Sequence, residues 1–429
     1  MFTAVIEFAD SSIIINPLEI KQPIRGFGAS DAWLSGLIHQ MPTTNQTAVL
    51  DALFSPVKGA GLSMLRHRVE AYASTGPGQY NWDLDWDSIW LTGEARARGV
   101  STVWCTPWTP PKWMKSNNDY ANGGQLLPEH YQDYADFLAT YVSEYKRRFN
   151  ITIDALSLQN EPDINATYES CLWSGEQLRD FLKFNIGPTF RARGLTTKLI
   201  LPEYSGWNDY LSYPTLQDTN ASQFLSVVAT HSYGGDIYPF TSAMSQNKDV
   251  WETEVSDLSG NDPSINDALR WASMIHDSMV TGNANAWHYW WLVTGWSDGQ
   301  SLIQINSDGS YQIYKRLWAL GNFSRFVRPG FIRVNTSSSN PESGVLVSAY
   351  TKPGSGNTVL VVVNQNYNAT NLAANIGGVK FTSVRAYRTS NQEDLAQITA
   401  PNVVQNTVTI PVAARSITTI VTQPITGSR

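Results

Sequence analysis

Thr152-Ile153-Asp154-Ala155-Leu156-Ser157-Leu158 is a short run of β-branched and apolar residues, and its neighbours decide the fold. A long helical stretch, Pro128 to Phe149, leads into it, and a second, Gly175 to Arg193, follows it. Short strand, long helix, short strand is the rhythm of a wound α/β protein. Working outward, seven more runs of the same kind appear: Ile24 to Ala29, Leu62 to Val69, Ser101 to Thr106, Lys198 to Leu201, Val227 to His231, Asp249 to Glu254 and Ala286 to Trp291. Asp85 to Arg98 and Ile265 to Thr281 supply further helices between them. Eight such units predict a (β/α)8 barrel over residues 23–328.

The pattern changes after Arg328-Pro329-Gly330. Helical periodicity stops, and strands such as Val345 to Tyr350, Thr358 to Asn364 and Ser416 to Val421 are separated by Gly, Asn, Ser and Pro. Residues 329–429 therefore read as an all-β domain. The run Ser12-Ile13-Ile14-Ile15-Asn16-Pro17, in the segment 1–22, is expected to add a strand to that domain.

Composition narrows the function. The 429 residues are 42% hydrophobic and 16% charged with a net charge of -7, and no Lys/Arg run is long enough to track phosphates, so nucleic acid is not expected as a partner. No apolar run reaches the roughly 20 residues of a membrane helix. The 16 Trp and 19 Tyr are an excess of rings that either fill the core or stack on sugars. Cys105 and Cys171 are the only cysteines, leaving one bridge or two thiols open. His231 has no second His at metal-ligand spacing, so no metal is implied. Gly26-Phe27-Gly28 lacks the third glycine and the setting of a dinucleotide site, so no cofactor is implied either. The start, Met1 to Ile6, lacks a basic segment followed by a long apolar stretch; any leader is expected to have been removed. Seven Asn-X-Ser/Thr sequons, at Asn45, Asn150, Asn165, Asn220, Asn322, Asn335 and Asn368, mildly favour a secreted glycoprotein. A monomer is expected.

Active sites of such barrels lie at the C-terminal ends of the strands. Strand four ends in Gln159-Asn160-Glu161-Pro162 and strand seven in Trp251-Glu252-Thr253-Glu254-Val255. These strands face each other across the barrel mouth, which suits two carboxylates about 5 Å apart, the separation for retaining cleavage of a glycosidic bond.

With these motifs the sequence resembles family 30 of the glycoside hydrolases, in its xylanase-containing branch. The resemblance spans nearly the whole chain. It rests on Arg25-Gly26-Phe27-Gly28-Ala29-Ser30, Leu65-Arg66, Thr106-Pro107-Trp108-Thr109-Pro110-Pro111-Lys112-Trp113-Met114-Lys115, Gln159 to Asp163, Thr230-His231-Ser232-Tyr233-Gly234, Trp251 to Val255, Trp290-Trp291 and Phe323 to Gly330. It implies a side β-sandwich built from both chain ends. It implies Glu161 as general acid/base, with a raised pKa, and Glu254 as nucleophile, kept ionised by Arg66. It also implies Asn160 on the sugar 2-hydroxyl. Tyr233 is expected beside the nucleophile or the sugar, and His231 as a hydrogen-bonding residue of the rim. Trp33, Trp108, Trp113, Trp173 and Trp291 are expected as stacking platforms.

Two departures matter. Glu252 stands where bacterial relatives carry an apolar residue, and strand alternation puts it on the Glu254 face, where Arg68 or another buried donor is its expected partner. Trp291 is followed by Leu292-Val293-Thr294-Gly295-Trp296, without the basic residues that grip a glucuronic acid branch in bacterial glucuronoxylanases. The expected activity is a retaining endo-β-1,4-xylanase, acting on xylan without strict dependence on glucuronic acid. The alternatives are a β-1,6-glucanase, a β-1,6-galactanase, an exo-acting xylobiohydrolase, a β-glycosidase, or a non-catalytic carbohydrate-binding barrel.

Overall fold

The computed structural model describes residues 11–338, 342–378 and 381–424. The segment read above for a leader lies outside them. The chain forms two compact units, one of Gly26–Asn261 with Thr281–Ile313, the other of the described residues up to Arg25, Asp262–Val280 and those from Tyr314 onward.

The first unit is the barrel. Its eight strands are Gly26–Ser30, Met64–Arg68, Thr102–Thr106, Ala155–Ser157, Lys198–Tyr204, Leu225–His231, Asp249–Glu254 and Ala286–Thr294, numbered one to eight below. Each pairs in parallel with the next, and strand eight closes the ring by pairing with strand one. All eight sequence-predicted strands are present, with ends displaced by a few residues. Met64, Trp104, Ala155, Ile200, Val227, Ala229, Trp251 and Ala286 fill the interior. Large rings sit against small neighbours: Trp104 and Trp251 meet edge to face at 5.8 Å, and the alanines leave them room. Gly28 has the same purpose, since a Cβ there would lie 2.6 Å from the Met64 carbonyl and 2.7 Å from the His288 ring.

The helix Tyr131–Phe149 buries Tyr134, Phe137, Leu138, Tyr141, Val142 and Tyr145, the spacing of one helical face. It stops at Asn150, left-handed at φ 56, with Lys146, Arg147 and Arg148 in the last turn favourably placed against the helix dipole. Gly175 to Arg193, expected as one helix, begins with a capping box of Ser174 and Gln177 but widens into a π turn over Leu182–Ile186. Pro188 explains the widening, because it has no N–H to give to the preceding turn.

In the second unit the side β-sandwich is one continuous ten-stranded sheet. Its order is Ala396–Ile398, Phe381–Thr389, Ser416–Pro424, Thr358–Asn364, Val345–Thr351, Ile332–Ser338, Ser11–Pro23, Thr370–Ile376, Thr407–Val412, Asn402–Val404. The N-terminal strand is thus interior, antiparallel to Ile332–Ser338 and parallel to Thr370–Ile376. Ile13, Ile15, Leu360, Val362, Leu372, Ala374, Ile376, Val408, Ile410 and Ile420 come from both halves of the sheet into one core, so the sheet curls around its own side chains. The helices Ile265–Val280 and Lys315–Ser324 belong to this unit, joined by a buried Arg316–Asp267 ion pair of 2.9 Å.

Candidate active site

Strands two, four, five, six and seven deliver one polar cluster to the barrel mouth. Arg66, in the middle of strand two, is fully buried, and its guanidinium is shared three ways. Nη1 donates to Glu254 Oε2, and Nη2 donates to Asn160 Oδ1 at 2.7 Å and Glu203 Oε1 at 2.9 Å. The ring of Trp108 lies 4.7 Å from the guanidinium carbon, and Trp104 and Trp290 flank it at 5.3 and 5.5 Å. Tyr233 donates its hydroxyl to Glu254 Oε1 at 2.9 Å. On the other side, His231 Nδ1 lies 3.1 Å from Glu161 Oε1, and the Tyr168 hydroxyl donates to Glu161 Oε2 at 3.2 Å. Ligand atoms of Glu161, His231 and Glu254 all lie within 4.8 Å of one another. A divalent ion could bridge such atoms, but Arg66 already supplies the positive charge to Glu254.

The backbone holds this cluster under strain. Glu161 and Glu203 are both left-handed, at φ 44 and 54, and so is Trp33 on the rim at φ 63. Each costs about 1–3 kcal/mol, and such residues gather where function needs a fixed direction.

Three carboxylates, Glu161, Glu203 and Glu254, face one guanidinium and one imidazole. Burial lowers the His231 pKa, but the charges of Glu254, Glu161 and Glu203 overcome this and push it to about 10. Burial raises Glu161, yet the hydrogen bond and charge of His231, with Tyr168 and Arg66, hold it below the ordinary glutamate value. Glu203 is held low by Arg66 and His231 against its own burial. Burial dominates at Glu254, which stays above the ordinary value despite His231 and Arg66. This corrects the expectation of a raised Glu161. The imidazole beside it carries the proton instead.

Other expectations meet the structure unevenly. The bonds to Arg66, Asn160, Tyr233 and His231 bring all four into contact with the two carboxylates. His231 is not a peripheral residue: its Nε2 stands 3.7 Å from Glu203 and 3.9 Å from Glu254. Trp33 is 42% exposed and meets Trp108 edge-on at 5.0 Å, while Trp291 is half-buried, stacked on Trp290 at 4.7 Å. Trp113 is half-buried against His130. Trp108 and Trp173 are corrections, because neither offers an open face. Trp108 is 2% exposed beneath Arg66, and Trp173 is 4% exposed, packed on Tyr131, Tyr134 and Phe181. Arg68 does not meet Glu252; it pairs with Glu70 and, at 3.1 Å, with Glu169. Glu252 Oε2 instead accepts the His288 backbone N–H at 3.0 Å. The pairing of strands six and seven slips between Glu252 and Glu254, so simple alternation does not hold there. Cys105 and Cys171 are separate buried thiols. Sequence reading missed Glu203, Tyr168 and Trp290. Glu203 had a signal, since it comes two residues after the strand-five run and the C-terminal ends of barrel strands are where function gathers.

Comparison with known proteins decides the family. The profile of the glycosyl hydrolase family 30 TIM-barrel domain matches residues 83–326. The chain belongs to family 30 of the glycoside hydrolases. A family 30 subfamily 8 xylanase from Clostridium acetobutylicum superposes with a TM-score of 0.84 at 33% identity, covering 96% of this chain and 99% of that one. The catalytic domain of a family 30 xylanase C from Talaromyces cellulolyticus gives 0.87 at 30% identity, covering 96% and 100%. Among curated proteins, a glucuronoxylanase of Bacillus subtilis is 28% identical over 96% of this chain and 92% of its own length. An endo-1,6-β-glucanase of Neurospora crassa is 25% identical over 80% and 79%. This family 30 glycoside hydrolase thus has relatives of more than one specificity.

Proposed function

We propose that the enzyme is a retaining endo-β-1,4-xylanase, with Glu254 as nucleophile and Glu161 as acid/base. The observation that carries this reading is the approach of the two carboxylates, with oxygens within 4.8 Å of each other. Retaining enzymes hold their carboxyl groups about 5–5.5 Å apart, whereas inverting ones need about 6.5–9.5 Å to admit a water. Glu254 Oε attacks the anomeric carbon and the bond to the leaving oxygen breaks. As the new ester forms, the negative charge on Glu254 disappears, and with it the largest influence holding the proton on His231. That proton then moves across the 3.1 Å contact to Glu161, which passes it on to the leaving oxygen. In the second step Glu161 takes a proton from water, whose oxygen displaces Glu254 and restores the configuration, and with Glu254 charged again the proton returns from Glu161 to His231.

The xylan reading is supported by the xylanase relatives. Independence from glucuronic acid is supported by the loop after strand eight, where Trp296 bonds to Asp298 and no Lys or Arg stands between Trp291 and Gln300. Arg68 is already committed to Glu70 and Glu169. A polymeric substrate also favours action outside the cell by a single-copy protein. A second reading, an endo-β-1,6-glucanase, is favoured by the Neurospora relative.

The test is NMR of the first-formed anomers during hydrolysis of linear xylo-oligosaccharides, glucuronoxylan and β-1,6-glucan. β-Xylosyl products at comparable rates on both xylans support the proposal. α-Products would contradict the mechanism, strong preference for glucuronoxylan the branch reading, and faster cleavage of the glucan the substrate. Glu161→Gln and Glu254→Gln should each lose about 100-fold or more on xylan.

A further inference from the structure

Three carboxylates share the barrel mouth, and the chemistry above uses two of them. The third, Glu203, has no exposed surface, so no sugar reaches it. Both of its oxygens are fixed: Arg66 Nη2 donates to Oε1 at 2.9 Å and the Thr106 hydroxyl to Oε2 at 3.0 Å. Its backbone is left-handed at φ 54, and its main-chain carbonyl accepts the Glu161 N–H at 3.1 Å. One residue thus braces the guanidinium with its side chain and the acid/base with its main chain. A buried charge held at the cost of backbone strain points to a purpose.

That purpose is found at His231, whose imidazole lies between two carboxylates. Nδ1 is 3.1 Å from Glu161 Oε1, and Nε2 is 3.7 Å from Glu203 Oε1. The second distance is too long for a hydrogen bond, and Nε2 has no hydrogen-bond partner among the described residues, so Glu203 acts on the ring through its charge. Other groups face the ring as well. Glu254 Oε2 is 3.9 Å from Nε2, the Tyr233 ring is 6.0 Å away, Arg66 pairs with both Glu254 and Glu203, and Glu252 adds a carboxyl that burial keeps neutral up to about pH 8. His288, beyond Glu203, is held uncharged by burial. Of the three negative charges around His231, only that of Glu203 is constant. Glu254 loses its charge when the ester forms, and Glu161 loses its own whenever it holds the proton.

We propose that Glu203 is a positioning residue for the proton: its unchanging charge, on the far side of the imidazole from Glu161, keeps His231 loaded before each turnover and draws the proton back from Glu161 after the second step. The inference rests on Glu161 as acid/base and gives that reaction a third carboxylate, one that never touches substrate.

Glu203→Gln removes the charge and keeps the shape, and its effect is read at His231 itself by NMR of isotope-labelled histidine. The chain has six histidines, so His231→Asn assigns the signal by its absence. In wild type the signal should still be that of an imidazolium at pH 8, since the surrounding carboxylates push its pKa to about 10. In Glu203→Gln it should titrate about 1–3 pH units lower. Activity gives the second reading. The alkaline limb of kcat/KM on linear xylo-oligosaccharides, whose leaving oxygen needs the proton, should move down by the same amount. On β-xylobiosyl fluoride, whose leaving fluoride needs none, that limb should stay in place. Glu203→Asp keeps a charge and should restore most of both shifts. A residue that merely braced Arg66 would lower the melting midpoint without moving either titration, and that result would overturn the inference. So would equal movement of the limb on both substrates, or a neutral His231 at pH 8 in wild type, which needs no variant to fold. Wild type that turns over β-1,6-glucan but not xylan would refute the xylanase reading alone; the His231 titration then stands, and the glucan and β-gentiobiosyl fluoride replace the xylose substrates.

Discussion

Replacing Glu252 by glutamine measures the cost of one buried acid. The carboxyl has no exposed surface, and its Oε1 has no hydrogen-bond partner among the described residues. Burial, only partly offset by the His288 N–H and the charge of His231, lifts its pKa from 4.5 to about 8. Between those two values the unfolded chain gives up the proton while the folded chain keeps it, so folding loses stability as pH rises. At about 1.4 kcal/mol per pH unit, the penalty approaches 5 kcal/mol at pH 8 and above, and vanishes below about pH 4.5. Glutamine has the shape of the neutral acid and cannot ionise. Urea unfolding of wild type and Glu252→Gln at pH 5, 6, 7 and 8 should therefore show the variant gaining on wild type by about 3 kcal/mol between pH 5 and pH 7. Xylan hydrolysis should survive, because the neutral side chain is the native one. Parallel stability curves would refute the buried-acid argument. Loss of turnover in a folded variant would show that Glu252 takes part in the reaction.

His231 has the same sign for a different reason. Its folded pKa near 10 lies above the ordinary 6.5, so its contribution is complete below pH 6.5 and disappears as pH rises through 10. His231→Asn should lose several kcal/mol at pH 6, read by urea unfolding, with the gap to wild type closing toward pH 10. Arg66→Met leaves Glu203 and Glu254 buried beside no guanidinium and should cost about 3–5 kcal/mol, seen in the melting midpoint, with the acidic limb of the pH–rate profile moved upward. The Asn322 sequon should remain unmodified in protein from a eukaryotic secretory host. Its side chain is fully buried and its amide donates to the Trp318 carbonyl at 2.8 Å and Thr389 Oγ1 at 2.7 Å; peptide mass spectrometry reads its occupancy beside exposed Asn220 and Asn368.

The barrel was legible because it is written in repetition: each strand is a short apolar run, and each helix carries a face of rings or aliphatics. Strand ends were less so. The fifth strand continues through Pro202 to Tyr204, and stopping it at Leu201 removed Glu203 from view. Asn-Glu-Pro after strand four and the Glu ending strand seven could be read because their positions alone bring them together. Their proton affinities could not, since these depend on how many charges gather around His231. The same holds for tryptophans. Trp173 and Trp291 look alike as letters, and only packing makes one a core ring and the other part of the mouth. The Arg68–Glu252 pairing failed because Arg68 is held by Glu70 and Glu169 and Glu252 takes a backbone N–H, contacts between segments that composition does not mark.

The interior place of Ser11–Pro23 in the ten-stranded sheet has a consequence for biosynthesis. Both of its partners, Ile332–Ser338 and Thr370–Ile376, emerge from the ribosome long after it. At about 5–20 residues per second, this isoleucine-rich segment spends on the order of tens of seconds with both edges open. Polypeptides interrupted before Ile332 would keep both edges open, and those interrupted before Thr370 one of them, as ready templates for strand pairing between molecules.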